Sequence, residues 1–130
     1  SLSDQFCVDR HKAHFLDLVK NKLDITFANE QEMISLIDAK NFNEVIDFAK
    51  NLKKLVVITR GEKGAISIIG DQVTENGVDE NLSIKDLTGA GDLFAAGYLH
   101  GYLNNLNNLE CLNKGKEMSS KVIQQIGARL

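Results

Sequence analysis

The sequence contains no proline and no tryptophan, and only two cysteines among its 130 residues. Because proline is missing, the turns have to be made mainly by glycine, asparagine and aspartate. The two cysteines, Cys7 and Cys111, are too few for a disulfide framework and form no cluster with metal-ligand spacing. Reduced thiols of this kind are typical of a cytoplasmic protein.

A basic excess and a long apolar run are missing as well. Lysine and arginine together number 15 against 18 acidic residues, which leaves a net charge of -3. This balance argues against a nucleic-acid or anionic-membrane partner, because no positive excess exists to release counterions. No apolar run approaches the ~18 residues of a membrane span, and the polar opening segment does not resemble a signal peptide.

Amphipathic segments alternate with short apolar runs along the rest of the chain. Helical periodicity predicts helices over residues 9–21, 42–52, 93–103 and 109–126, and one more that begins after Asn29. Residues 23–28, 55–59 and 65–69 read as strands, followed by a polar meander to Asn81. Gly127 is the expected end of the last helix. The alternation predicts a layered α/β sheet.

A loop with two glycines opens directly into an apolar helix after Asp86. The amides of Gly89, Ala90 and Gly91 would be among the unpaired donors of the helix N-terminus, where the dipole favours an anion. Asp92 follows, and a carboxylate there can take a proton from a hydroxyl while the amides hold the charge on a phosphoryl group. The alternative is that Asp92 only caps the helix.

Two further stretches admit both a functional and a purely structural interpretation. Thr59 ends a predicted central strand, and Gly61 follows it with Lys63 nearby. Open α/β sheets bind ligands at this end of a strand, but the same residues suit a hairpin turn. Asn29 and Glu32 lie three residues apart at a helix start. They could orient waters around Mg²⁺, or they could form a capping box.

Several common nucleotide-binding and catalytic motifs are not found. The sequence has no Walker-type Gly-x-x-x-x-Gly-Lys-Ser/Thr, no Gly-x-Gly-x-x-Gly and no Gly-x-Ser-x-Gly. A dinucleotide-binding Rossmann domain would suit the α/β pattern but lacks its glycine fingerprint, and titration with a nicotinamide cofactor would separate it from an ATP-binding protein.

The stretch Asp86-Leu87-Thr88-Gly89-Ala90-Gly91-Asp92-Leu93-Phe94 closely resembles the second signature of the ribokinase-like (PfkB) sugar and nucleoside kinases. Asn29-x-x-Glu32 and Thr59-x-Gly61 occur at the order and separations of that family. The opening Leu2-Ser3-Asp4-x-Phe6 and residues 27–30 are most similar to the adenosine kinase branch. The resemblance implies a three-layer α/β/α sandwich with a mostly parallel sheet, of which residues 1–130 form the carboxyl-terminal portion; the lid and the amino-terminal acceptor-binding part are absent.

The resemblance also implies roles for the matched positions. Asp92 resembles the catalytic base, and Gly89, Ala90 and Gly91 resemble the anion hole. Asn29 and Glu32 resemble the motif that organises Mg²⁺ and phosphate, with Glu32 acting on the metal indirectly. Thr59 and Gly61, with Gly64 close by, resemble the nucleotide-phosphate site. Asp86 and Gly127 match positions where some members bind a monovalent cation.

The implied reaction is ATP-dependent phosphotransfer to a hydroxyl of a nucleoside or sugar. The alternative is a non-catalytic nucleotide-binding fragment or interaction module of such a kinase, because the amino-terminal half of the family pattern is not in this sequence. A sheet cut in two has an unpaired edge, which favours association of two copies into a homodimer. We expect the 130-residue chain on its own to be inactive.

Overall fold

The computed structural model describes every residue from Ser1 to Leu130. The helices are α1 (Gln5–Arg10), α2 (Lys12–Asp17), α3 (Glu30–Ile37), α4 (Phe42–Leu52), α5 (Ala90–Leu103) and α6 (Asn108–Val122). A π-helical segment, Leu18–Lys22, extends α2, and Gly61–Lys63 forms a 3₁₀ turn. The strands are β1 (Ile25–Asn29), β2 (Leu55–Thr59), β3 (Ala65–Ile69) and β4 (Gln72–Asn76). The chain packs as two compact units, one of Ser1–Arg60 and Ile66–Val73, the other of Gly61–Ala65 and Thr74–Leu130.

The four strands form one sheet in the order β1-β2-β3-β4. β1 and β2 are parallel, with register from Ile25 opposite Leu55 to Asn29 opposite Thr59. The connections from β2 to β3 and from β3 to β4 are too short for a parallel crossover, so these neighbours are antiparallel. The sheet of this chain is therefore mixed. β4 was expected to be part of a polar meander, and its largely exposed residues explain why no strand pattern marked it.

The core of the first unit lies between one face of the sheet and helices α1 to α4. Its buried members include Val8, Val19, Met33, Leu36, Val45, Ala49, Val56, Ile58, Ile66 and Ile68. Side chains on the other face of β2 are buried too, which agrees with an apolar strand covered on both faces. The predicted helix 42–52 and the strands 55–59 and 65–69 are confirmed to the residue. Asn41 caps α4 by accepting a hydrogen bond from the amide of Glu44 at 3.1 Å.

The second unit is built on close packing of α5 against α6. A Cβ atom on Gly97 would lie 2.8 Å from the carbonyl carbon of Lys114 and 3.0 Å from Cα of Gly115. A Cβ on Gly115 would lie 2.9 Å from the ring of Phe94. Tyr98 and Cys111 are fully buried nearby. Glycine at these positions therefore lets the two helix backbones approach closely.

Three predicted helix boundaries are wrong. Helix α5 begins at Ala90 rather than at Leu93, because Gly89 is its N-cap. The first helical region begins at Gln5 rather than Asp9, because Asp4 accepts a hydrogen bond from the amide of Cys7 and caps it. The last helix ends at Val122, and Ile126, expected to point inward, is 87% exposed.

The backbone carbonyl and amide that would extend α6 form hydrogen bonds with residues at the start of the glycine loop instead. The helix therefore ends before Gly127. The carbonyl of Ile123 accepts from the amides of Lys85 and Asp86, at 2.8 and 3.3 Å. The amide of Gly127 donates to the Asp86 carboxylate at 3.0 Å. None of the helices combines the length and the hydropathy that a bilayer-spanning segment needs.

Candidate functional site

The glycine loop leads into α5 without a side-chain cap. Gly89 is the N-cap, with φ 79° and ψ 0°, and no side chain accepts from the first turn. The amide of Ala90 donates to the carbonyl of Leu87 at 3.2 Å. The amides of Gly89, Gly91 and Asp92 have no acceptor in the chain. Of the three predicted anion-binding amides, those of Gly89 and Gly91 are therefore open, and the amide of Asp92 is an additional open donor.

The two glycines of this loop are present for different physical reasons. A Cβ on Gly89 would lie 2.7 Å from the Cβ of Ala128, and its positive φ is a conformation that side chains rarely adopt. A Cβ on Gly91 would meet nothing within 4 Å. The fold therefore requires glycine at 89 but not at 91, and the absence of a side chain at Gly91 leaves open space beside the free amides.

Asp92 lies in the first turn of α5 and its residue surface is exposed. Its carboxylate has no hydrogen-bond or ion-pair partner in the chain. An exposed carboxylate next to unpaired amides can accept a proton from a ligand while the amides hold an anion. Such an arrangement is suited to transfer chemistry on a phosphorylated ligand.

The Asp86 carboxylate connects the glycine loop to the segment that follows α6 through hydrogen bonds. Its Oδ1 accepts from the amide of Thr88 at 2.8 Å, and its Oδ2 accepts from the amide of Gly127 at 3.0 Å. Hydrogen bonds, the largest contribution from Thr88 and the next from Gly127, hold the pKa of the Asp86 carboxyl below its ordinary value. The structure thus brings together the two residues that the resemblance associates with a monovalent cation.

Asn29 and Glu32 form a capping box at the start of α3. The Asn29 amide donates to Oε2 of Glu32 at 2.8 Å, and the Glu32 amide donates to Oδ1 of Asn29 at 2.8 Å. The side-chain amide of Asn29 also donates to Oε1 of Glu32 at 3.1 Å. Glu32 is only 4% exposed, and burial raises the pKa of its carboxyl, although the hydrogen bond from the Asn29 backbone opposes that rise.

The side-chain oxygens of Asn29 and Glu32 are also compatible with Mg²⁺, a hard cation that prefers oxygen ligands and keeps several waters. Each Glu32 oxygen accepts one N–H, and a carboxylate oxygen can accept more than one hydrogen bond. Asn29 is exposed at the end of β1. These residues therefore fit a role in which Glu32 acts on the waters of the ion rather than on the ion itself.

Thr59 lies opposite Asn29 in the register of β1 and β2, at the carboxyl end of both strands. The turn that follows begins at Gly61, φ 57°, and ends at Gly64, φ 86°. A Cβ on Gly64 would collide with the backbone carbonyl of Asn76, whereas one on Gly61 would meet nothing within 4 Å. Gly64 is therefore required by packing, and the backbone at Gly61 is accessible to a ligand.

The site residues predicted from the sequence are divided between the two units. Asn29, Glu32 and Thr59 lie together at the carboxyl edge of the sheet in the first unit, while Gly61, Gly64, Asp86 and residues 89–92 belong to the second.

No sequence motif marked Arg60, which directly follows Thr59. Its Nε and Nη2 lie 3.4 and 3.5 Å from the carboxylate of Glu30, and its guanidinium carbon lies 3.8 Å from the centroid of the Phe42 ring. The only signal was a cationic residue immediately after a central strand.

The ends of parallel strands and the free amides of a helix start are each places where α/β proteins bind ligands or anions, and this α/β chain has both features. The sequence matches the "pfkB family carbohydrate kinase" profile over residues 2–130. The chain therefore belongs to the pfkB family of carbohydrate kinases, as the resemblance of its motifs predicted.

Known relatives of the chain include nucleoside and sugar kinases. It is 35% identical to a cytidine kinase of Thermococcus kodakarensis over 114 residues, which are 84% of this chain and 40% of that protein. Among solved structures, an adenosine kinase of Sinorhizobium meliloti superposes with a TM-score of 0.95 at 37% identity, over 99% of this chain and 40% of the other.

A probable sugar kinase of Rhizobium etli superposes with a TM-score of 0.94 at 40% identity, over 98% of this chain and 39% of the other. These likenesses confirm the ribokinase-like α/β fold. The chain spans about two fifths of the length of these relatives.

Proposed function

We propose that this chain is the carboxyl-terminal part of a kinase that transfers the γ-phosphoryl group of ATP to a hydroxyl of a nucleoside or sugar. The observation that carries the proposal is the start of α5, where open amides stand beside the exposed Asp92 carboxylate. Membership of the pfkB family supports it, as do relatives named as cytidine kinase and adenosine kinase.

In the proposed reaction Asp92 is the catalytic base that takes the proton of the acceptor hydroxyl as its oxygen attacks the γ-phosphorus. The bond from the γ-phosphorus to the bridging oxygen breaks, and ADP leaves. The open amides of Gly89, Gly91 and Asp92 then donate to the phosphoryl oxygens, on which negative charge is distributed in the transition state. Phosphoryl transfer depends mainly on positioning and charge stabilisation, so these donors should supply a large share of the rate enhancement. The deprotonation by Asp92 adds roughly 10²- to 10⁴-fold.

Residues of each unit have binding roles of their own in this proposal. Thr59 and the backbone at Gly61 bind nucleotide phosphate, and Gly64 shapes the turn between them and β3. Asn29 and Glu32 orient the waters of Mg²⁺, which when bound would neutralise phosphate charge. A monovalent cation is assigned to the neighbourhood of Asp86 and Gly127, whose carboxylate-to-amide contact fixes the loop there.

The family members named above act on nucleosides and sugars, and we assign the same acceptor classes here, with the nucleosides first because of the adenosine kinase-like opening. The free thiols of Cys7 and Cys111 suit the reducing cytoplasm, where ATP is also available.

The second candidate is a non-catalytic nucleotide-binding fragment or interaction module. It is favoured by the share of the relatives that this chain covers, 40% of the cytidine kinase. β1 is an edge strand of the four, and an edge strand favours pairing with further chain or with a second copy in a homodimer. Analytical ultracentrifugation of the 130-residue chain distinguishes a monomer from that dimer.

The deciding experiment compares the 130-residue chain with the longer polypeptide that would contain it. Both are incubated with ATP, Mg²⁺ and a panel of nucleosides and sugars, and phosphorylated acceptor is measured. We expect the longer protein to phosphorylate at least one acceptor and the chain alone to phosphorylate none. Activity of the chain alone would contradict the assignment as a part, and a longer protein inactive on the whole panel would favour the second candidate.

A further inference from the structure

Three element ends meet at Arg60 within the first unit. Arg60 directly follows β2, Glu30 is the first residue of α3, and Phe42 is the first residue of α4. The Arg60 Nε lies 3.4 Å from Oε2 of Glu30, and Nη2 lies 3.5 Å from Oε1. The guanidinium carbon lies 3.8 Å above the Phe42 ring centroid. The Arg60 clamp, meaning Arg60 with Glu30 and Phe42, therefore joins a strand end to two helix starts.

The Arg60 clamp is more shielded from solvent than the other ion pair of the first unit. The side chains of Arg60 and Glu30 are 18% and 17% exposed, against 34% and 78% for Lys12 and Asp38. Salt and water screen an exposed pair more effectively than a shielded one. Arginine suits the position because its planar guanidinium can face a carboxylate with two N–H groups while it stacks on an aromatic ring.

The clamp adjoins the two residues to which the proposed function gives ligand roles. Glu30 immediately follows Asn29, and Arg60 immediately follows Thr59. Asn29 and Thr59 are themselves opposite each other in the register of β1 and β2. The contact between Arg60 and Glu30 therefore connects the start of α3 to the end of β2. The Asn29–Glu32 capping box lies at this start of α3, where the pairing of β1 with β2 ends.

We propose that Arg60 is a positioning residue, which acts through Glu30 to hold the Asn29–Glu32 pair beside Thr59 in the geometry that binds the metal-nucleotide complex. This inference rests on the proposed function for the ligand and on the clamp geometry for the mechanism. Because Arg60 acts through Glu30, loss of either residue should have the same effect, and loss of both should have no more effect than loss of one.

The test uses the ¹⁵N-labelled 130-residue chain as wild type, Arg60→Met, Glu30→Gln and the double variant. One readout is the hydrogen-exchange rate of the Asn29 and Glu32 amides without ligand. The other is the affinity for ATP with and without Mg²⁺, followed by the amide signals of Asn29, Glu32 and Thr59. We expect faster exchange and about fivefold weaker binding of Mg²⁺-ATP in all three variants, with ATP alone unaffected. A merely structural loss would lower both affinities.

Two further variants act as controls. Lys12→Met removes the ion pair to Asp38, at the opposite end of α3, and should change neither readout. Arg60→Lys keeps the charge but loses the two-pronged contact, so it should resemble Arg60→Met.

The proposal is overturned if exchange at Asn29 and Glu32 does not respond to the variants. It is also overturned if Glu30→Gln strengthens Mg²⁺-ATP binding while Arg60→Met weakens it, since Arg60 would then contact phosphate directly. A wild-type chain that does not bind Mg²⁺-ATP counts against the proposed function, and the exchange rates alone then decide the Arg60 clamp.

Discussion

Asn29 and Thr59 face each other across the last register position of the parallel strands β1 and β2. In the sequence they belong to two separate motifs, each with a structural alternative. At the carboxyl edge of a parallel pair they become neighbours, at the position where open α/β sheets bind ligands. The pairing gives a physical reason to assign both motifs to one binding function.

Replacing Asp92 by asparagine should remove the proposed base while leaving its shape. In the proposed longer kinase we expect Asp92→Asn to lower kcat by at least ~10²-fold, because asparagine cannot accept the hydroxyl proton, with little change in ATP affinity. Steady-state kinetics and ATP titration measure the two quantities. A variant with near wild-type turnover would remove the base assignment.

Gly91→Ala should impair anion binding at the glycine loop without destabilising the fold. Its new methyl group meets nothing within 4 Å in the protein, and alanine in a helix can raise the free energy of unfolding by up to about 1 kcal/mol. The same methyl group would crowd an anion held by the open amides, so kcat/KM of the longer kinase should fall.

Urea denaturation measures the expected rise in the free energy of unfolding of Gly91→Ala, and steady-state kinetics measure the expected fall in kcat/KM. Gly77→Ala is the control, because that position is also open and its φ is not positive, and its activity should be unchanged. If Gly91→Ala retains full activity, the anion does not bind there.

The buried Glu32 carboxyl should make stability decrease with rising pH. Its pKa in the folded protein is raised above the ordinary 4.5 by burial, so the folded state holds the proton more tightly than the unfolded chain. The free energy of unfolding should therefore fall as pH rises from 4.5 through the raised pKa. Glu32→Gln cannot ionise and should lack this decline in urea denaturation at a series of pH values. Equal slopes in both proteins would contradict the prediction.

Asp86 should have the opposite pH dependence. Hydrogen bonds from Thr88 and Gly127 lower its pKa below 3.8, so its stabilising contribution is present above that value and is lost as pH falls through the lowered pKa. Asp86→Ala should lack this acid-dependent loss in denaturation experiments. In that variant the Gly127 amide loses its side-chain acceptor and should exchange with solvent faster at neutral pH. Unchanged exchange at Gly127 would argue against the contact.

Gly97→Ala should destabilise the second unit strongly. The added Cβ would lie 2.8 Å from the carbonyl carbon of Lys114, and overpacking of this kind costs about 1–3 kcal/mol. Ala96→Ser, on the exposed side of the same helix, is the control and should change stability by less than about 0.7 kcal/mol. Thermal unfolding of the two variants measures the difference, and equal midpoints would show that α5 and α6 can separate to make room.

Local patterns were sufficient to predict much of the fold and the principal candidate residues. Helix α4 matched its predicted bounds because Asn41 caps it and its periodicity continues to Leu52. The prediction for α6 was wrong at its end, because the Ile123 carbonyl and the Gly127 amide are bonded to the glycine loop instead. No local pattern reports a contact of that kind.

The sequence by itself determined the α/β alternation, the order of the three motifs and the family to which they point, because caps, periodicity and glycine spacing act between near neighbours in the chain. Only the tertiary structure decided which amides of the glycine loop are open, which glycines are required by packing, and that Arg60 contacts Glu30 and Phe42. Each of these depends on atoms brought close from distant parts of the chain, and a side chain's neighbours across a fold are set by packing rather than by its position in the sequence.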